Sequence, residues 1–232
     1  MTVTTRHPEP NFSSTELPPR SDIEHYAQEV REHGYTVIPD QLTASHCEAL
    51  NAIADVALDE YSSAVDAGIQ PKNTLQNDFM RSARCFYCWD PVSQQLLEHP
   101  TVQALSDAVL GSVRLWDMVV LEALPNPDGG DLGPFDWHRD FPVRSASTPP
   151  LYMWVFFCLT DTTPENGATW IVPGSHRDPS VEPPKSGTDV SKLPGATQLC
   201  ANTGDLVAIN PQMLHAVGRN NTEQRRRLLN VG

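Results

Sequence analysis

The chain is 232 residues long, enough to bury one substantial core, and carries 16 Lys plus Arg against 29 Asp plus Glu, a formal net charge of −13. With three lysines in all, it lacks the clustered cations that neutralise phosphates or hold a polybasic surface on a membrane, so neither nucleic acid nor lipid is an expected partner. Its longest apolar run, Leu151 to Leu159, falls far short of the roughly 20 residues that span a bilayer.

Residues 1–20 hold four of the 21 prolines among polar residues and are expected to form a flexible N-terminal segment. They contain no apolar stretch of the signal-peptide kind and carry Glu9 and Glu16, so the expected compartment is cytoplasmic. Five cysteines, an odd number, suggest reduced thiols; Cys85 and Cys88 form a Cys-x-x-Cys without a second pair of zinc ligands nearby. Residues 21–232 are read as one domain, monomeric or homodimeric.

Apolar residues at helical spacing predict a helix over Asp22–His33, with Ser21 as a possible cap and Gly34 as its end. A short strand over residues 35–39 follows, and then a helix from Thr43 or Ser45 to about Ser63. A third helical segment, Ser93–Leu110, is interrupted at Pro100. From Val113 the texture changes to short β-branched and aromatic runs between Pro, Gly and Asp clusters. The expected strands are 113–124, 151–159, 169–172, 197–201, 205–209 and 225–231, with a surface loop over 178–194. Helices first and strands afterwards indicate an α+β, mainly β fold: a helical lead-in to about residue 112, then a sandwich or barrel.

The chemistry concentrates in Trp137-His138-Arg139-Asp140-Phe141. Residues two apart in an extended segment point to the same side, so His138 and Asp140 present an imidazole and a carboxylate to one point. His215, after a Gly-Asp turn and a short apolar strand, is a candidate third ligand. Two imidazoles and a carboxylate on one face of an octahedron leave three positions open, as in non-haem iron(II) sites that bind a co-substrate and O2 together. His7, His25, His33, His46 and His99 fall on the tail or the helical segments and are not expected ligands.

Eleven residues after His215, Arg226 stands in the last strand with its side chain on the face of Leu228, while Arg225 and Arg227 point the other way. A guanidinium inside a barrel requires a carboxylate partner, and the distal end of a dicarboxylic co-substrate supplies one.

These motifs resemble the phytanoyl-CoA dioxygenase family of iron(II)- and 2-oxoglutarate-dependent oxygenases. The resemblance rests on Gly34-Tyr35-Thr36-Val37-Ile38-Pro39, the His138/Asp140 segment, Asn166-Gly167, Ile171-Val172-Pro173-Gly174-Ser175-His176, Gly204-Asp205-Leu206, and His215 with Asn220 and Arg226. It implies a double-stranded β-helix, or jelly roll, with N-terminal helices packed outside. It further implies that His138, Asp140 and His215 ligate Fe(II), that Arg226 anchors 2-oxoglutarate, and that His176 is structural. The reaction it implies couples decarboxylation of 2-oxoglutarate to succinate and carbon dioxide with oxidation of a small-molecule substrate. Hydroxylation of an unactivated C–H bond is the commonest outcome, with cyclisation, desaturation and epimerisation as variants; an inert jelly-roll metal or ligand binder is the non-enzyme alternative. Because the carboxylate position is filled by Asp140, chlorination is not expected.

Family members often carry Gly-Ser after the second histidine, whereas Ala216-Val217 stand here. Tyr152 is the candidate replacement donor for the co-substrate, the alternative being a weaker grip on it. The scarcity of cations disfavours a CoA thioester and favours a neutral or cationic small molecule: a natural product, an amino-acid-like compound or a compatible solute. The even-numbered face of the strand after Trp116 would turn Met118, Val120 and Glu122 toward the cavity, with Glu122 placed to receive a basic group. Trp137, Phe141, Trp154 and Trp170 are aromatic candidates for the cavity wall. Asn73, Gln76, Arg81 and Arg84 are candidates for a polar rim.

Overall fold

The computed structural model describes residues 20–70, 77–127, 136–143, 150 and 152–232. The segment expected to be flexible lies outside them except for Arg20, which opens helix α1 (Arg20–His33). Gly34 ends that helix at φ +89. A side chain there is barred twice over, since a Cβ would meet His176 Nδ1 at 2.8 Å and the Met213 sulfur at 2.9 Å. Strand β1 (Tyr35–Ile38) leads to α2 (Ala44–Asp66), whose first turn is closed by a capping box between Thr43 and His46. The expected interruption at Pro100 is a true boundary: α3 (Pro91–Gln95) and a short 3₁₀ turn precede α4 (Pro100–Leu110). Proline suits that first position because its missing N–H has no intrahelical partner there.

The strands are β2 (Met80–Ala83), β3 (Met118–Ala123), β4 (Trp154–Cys158), β5 (Thr169–Ile171), β6 (Thr197–Leu199), β7 (Leu206–Ile209), β8 (His215–Ala216) and β9 (Arg226–Val231). They form a six-stranded antiparallel sheet in the order β1-β7-β4-β9-β3-β2 and a three-stranded sheet in the order β6-β5-β8. A bridge between His138 and His215 extends the smaller sheet by one segment. The result is a double-stranded β-helix with helices on the outer face of its larger sheet. Strands β2 and β8 escape sequence reading, because one is four residues long with Arg and Ser at its centre and the other has two residues.

Strand alternation sorts the larger sheet into two faces. Met118, Val120, Val155, Phe157, Leu229 and Val231 pack against the helices in the main core. Cys158, Val207, Ile209 and Leu228 face inward to the smaller sheet. Burial of both faces explains why β4 and β7 read as continuous apolar runs with no polar side. Cys158 illustrates the interior: burial pushes its thiol up to about 12.

This sorting corrects three expectations. Met118, Val120 and Glu122 lie on the helix-facing side of β3, all fully buried, and the odd-numbered residues turn toward the cavity instead. The reason lies in the register, which sets Glu122 opposite Arg81 of β2 and Arg227 of β9 on one face. Glu122 accepts from Arg81 Nε at 2.9 Å and from Arg227 Nε at 2.6 Å. Arg81 also pairs with Asp59 at 2.7 Å, and Arg227 with Asp55, so the row of charges ties the sheet to α2. Removing one member of such a buried set leaves its partners charged and desolvated. Glu122→Ala is therefore expected to lower unfolding stability by about 3 kcal/mol, near the low end of the range for broken buried pairs because Asp55 and Asp59 remain. Urea denaturation checks this; a change below about 1 kcal/mol would show that the pairs do not hold α2 to the sheet.

Candidate metal centre

Among the described residues, one group of three His, Cys, Asp or Glu side chains is placed to hold a metal: His138, Asp140 and His215, with ligand atoms all within 4.8 Å of one another. Backbone pairing builds it. His138 N donates to His215 O at 2.9 Å, His215 N returns to His138 O at 3.0 Å, and Asp140 N donates to Pro211 O at 3.0 Å. Arg139, between the two, turns away and donates to the carbonyls of Ser175 at 2.9 Å, Val181 at 2.7 Å and Gln212. That guanidinium fastens the segment to the loops flanking β8.

Each imidazole is oriented through its far nitrogen. His138 Nδ1 lies 2.8 Å from Asp136 O and His215 Nδ1 lies 2.8 Å from Met213 O. A carbonyl only accepts, so each Nδ1 carries the proton and each Nε2 keeps its lone pair. The two Nε2 atoms lie 3.6 and 3.9 Å from Asp140 Oδ1. Asp140 Oδ2 accepts from the Trp154 indole at 2.8 Å and from the Tyr152 hydroxyl at 3.1 Å, which leaves Oδ1 turned to the imidazoles. Burial, followed by the neighbouring His138, lowers the pKa of His215 and favours the neutral, ligating form. Two imidazoles that present Nε2 and a carboxylate whose Oδ1 is turned to them fit a divalent transition metal.

The triad opens into a cavity of about 560 Å³. Arg226 lines it from β9, with its side chain on the same face as Leu228 and Asn230. It is 3% exposed, its Nε donates to Asn166 O at 3.2 Å, and among the described residues it forms no ion pair. Burial pushes the guanidinium down to about 10, so it remains a cation at neutral pH.

The other expected site residues divide. Trp154 and Arg84 line the cavity; Arg84 is held by Asp117 at 2.5 Å. Tyr152 lies outside the cavity, stacked edge-on against Phe141 and Trp154 with its hydroxyl on Asp140, so it braces a ligand and does not face Arg226. Trp137 is buried with Leu214 and Ala216, and Trp170 packs on the same cluster; neither lines the cavity, since both strengthen the smaller sheet. Arg81 belongs to the charged row under α2, and Asn73 and Gln76 fall outside the described residues. His176 is structural in position, with Nε2 2.9 Å from Arg31 O and its ring against Gly34. Cavity residues beyond the sequence reading include Trp116, Thr169 and Asn230. Of these, Asn230 carried a usable signal, because it shares strand parity with Arg226.

The phytanoyl-CoA dioxygenase (PhyH) family profile matches residues 30–228. The chain belongs to the phytanoyl-CoA dioxygenase family. It is 25% identical over 215 residues to Dioxygenase trt7 of Aspergillus terreus, covering 88% of this chain and 71% of that one. The family fold recurs in the carbocyclase SnoK from nogalamycin biosynthesis, described as non-haem and alpha-ketoglutarate-dependent, at TM-score 0.67 and 20% identity over 93% of this chain and 86% of that one. HygX from Streptomyces hygroscopicus, crystallised with nickel and 2-oxoglutarate, superposes at TM-score 0.66 and 18% identity over 89% and 85% of the two chains.

Proposed function

We propose that this family member is an Fe(II)- and 2-oxoglutarate-dependent oxygenase that uses O2 to hydroxylate a C–H bond of a small molecule. The observation that carries this reading is Arg226, a buried cation without a counter-ion among the described residues, in one cavity with a two-histidine, one-carboxylate cluster. An arginine so placed is costly to the empty protein and complementary to a dicarboxylate. The 2-oxoglutarate bound to HygX supports the same co-substrate.

In this reading His138, Asp140 and His215 hold the iron, which supplies the redox chemistry that couples decarboxylation of 2-oxoglutarate to oxidation of the substrate. The protein's contribution is positional. Arg226 fixes the distal carboxylate, while Tyr152 and Trp154 keep Asp140 in its ligating orientation. Val217 lines the cavity without a side-chain donor, and Thr169 lines it too. We assign Thr169 as the second donor to the distal carboxylate in place of Tyr152.

Anaerobic titration with Fe(II) and 2-oxoglutarate is expected to give a visible metal-to-ligand charge-transfer band. Its absence would rule out bidentate binding at an open three-ligand site. With a turned-over substrate, hydroxylation predicts one succinate per product that has gained one oxygen atom. A product that has lost two hydrogens would instead indicate cyclisation or desaturation.

A further inference from the structure

Asn230 is 6% exposed, lines the cavity, and buries its side-chain oxygen Oδ1 without a hydrogen-bond partner among the described residues. Buried amides are nearly always satisfied, so an unpartnered one in a residue that lines the cavity points to a ligand met by turning the amide toward it. Its cross-strand neighbours, Val119 of β3 and Phe156 of β4, line the same wall and have no polar side-chain atom to offer it.

Arg226 and Asn230 are four residues apart on β9, which at about 3.3 Å per residue separates them by about 13 Å. Arg226 holds one end of the strand, and at the other Gly232 abuts the ring of Trp154, whose indole N–H holds Asp140, so the triad stands toward the Asn230 end. A five-carbon dicarboxylate that joins Arg226 to the triad fills the span between them and leaves the space beyond the triad free. That end opens past Trp116, which is 64% exposed, and Arg84.

Resting on the function proposed above, we propose that the Asn230 carboxamide is the specificity-determining group for the primary substrate. It reads a hydroxyl or ketone on an otherwise apolar skeleton. The apolar walls favour the hydrocarbon body, and the amide, turned about its last torsion, donates to a ketone or accepts from a hydroxyl. A site built around a polar group discriminates against analogues that lack its partner, because the buried amide is then left bare. Ammonium substrates are disfavoured: apart from Asp140 no carboxylate lines this cavity among the described residues, and Glu122 is engaged on the opposite face of β3.

The test uses the full chain without metal and the matched probes 2-naphthol and naphthalene, titrated by calorimetry. The wild type is expected to bind 2-naphthol about tenfold tighter than naphthalene. Asn230→Leu is expected to bring the two affinities within about twofold of each other, chiefly by weakening 2-naphthol. Asn230→Ala removes the amide without adding bulk and gives the same comparison if the leucine variant does not fold. Equal binding of both probes by the wild type, binding of neither, or a preference that survives in the variants would overturn the proposal. The Fe(II)/2-oxoglutarate band separates this from the function itself: Asn230→Leu is expected to keep the wild-type affinity for 2-oxoglutarate. A band missing from the wild type would count against the iron site and leave the probe comparison to decide on Asn230.

Discussion

Asp140→Ala is expected to lose the charge-transfer band and to weaken Fe(II) binding by more than about 100-fold, beyond the range usual for partners that merely support a ligand. The substitution removes an anionic donor and also strands the groups around it. Oδ1 faces both Nε2 atoms at 3.6 and 3.9 Å, while Oδ2 takes hydrogen bonds from Trp154 and Tyr152. Trp154→Phe, which keeps a ring but deletes the indole N–H, is expected to fall between wild type and Asp140→Ala, at roughly 10–100-fold. This ordering, followed by iron titration under anaerobic conditions, distinguishes a ligand from its support. If Asp140→Ala retained the band, the carboxylate would not be a ligand and the site would need another donor.

Much of this site was legible in the sequence because its geometry is strand geometry. The two-residue spacing of His138 and Asp140 delivers both to one point, and the parity of β9 sends Arg226 inward and Arg227 outward. The same parity carries on to Asn230. Strand β3 defeats the argument: Met118-Val119-Val120-Leu121-Glu122-Ala123 is buried on both faces, so hydrophobicity cannot tell inside from outside. Its one charged residue is not a cavity marker, since it follows Arg81 and Arg227, which register alone brings opposite it. Aromatic residues were ambiguous for a related reason. Trp137, Trp154 and Trp170 all lie near the triad in sequence or space, but the cavity wall receives only Trp154 of the three, while the others fill the smaller sheet's own core. Tyr152 shows a further limit: its hydroxyl was expected to serve the co-substrate, yet it donates to the Asp140 carboxylate.

Arg226→Met is expected to weaken 2-oxoglutarate binding while making the empty protein more stable. A guanidinium that is 3% exposed and has, among the described residues, a carbonyl contact but no counter-ion is a standing desolvation cost in the absence of ligand. An apolar side chain of similar length removes that cost, for an expected gain of about 1–4 kcal/mol, or about 2–4 °C in melting temperature for each kcal/mol at this chain length. Binding moves the opposite way. Truncating one partner of a buried, hydrogen-bonded charge pair costs about 2–5 kcal/mol, which corresponds to about 30- to 3000-fold in affinity for 2-oxoglutarate. The co-substrate analogue 2-oxobutyrate, which lacks the distal carboxylate, is expected to bind wild type and variant alike. Thr169→Val is expected to weaken 2-oxoglutarate up to about tenfold and to spare 2-oxobutyrate, with Thr169→Ser close to wild type. Thermal melts with and without each ligand read both halves of the trade. An Arg226→Met protein that melts lower than wild type when empty, or that still gains as much from 2-oxoglutarate, would mean that the buried charge is satisfied within the fold and is not kept for a ligand.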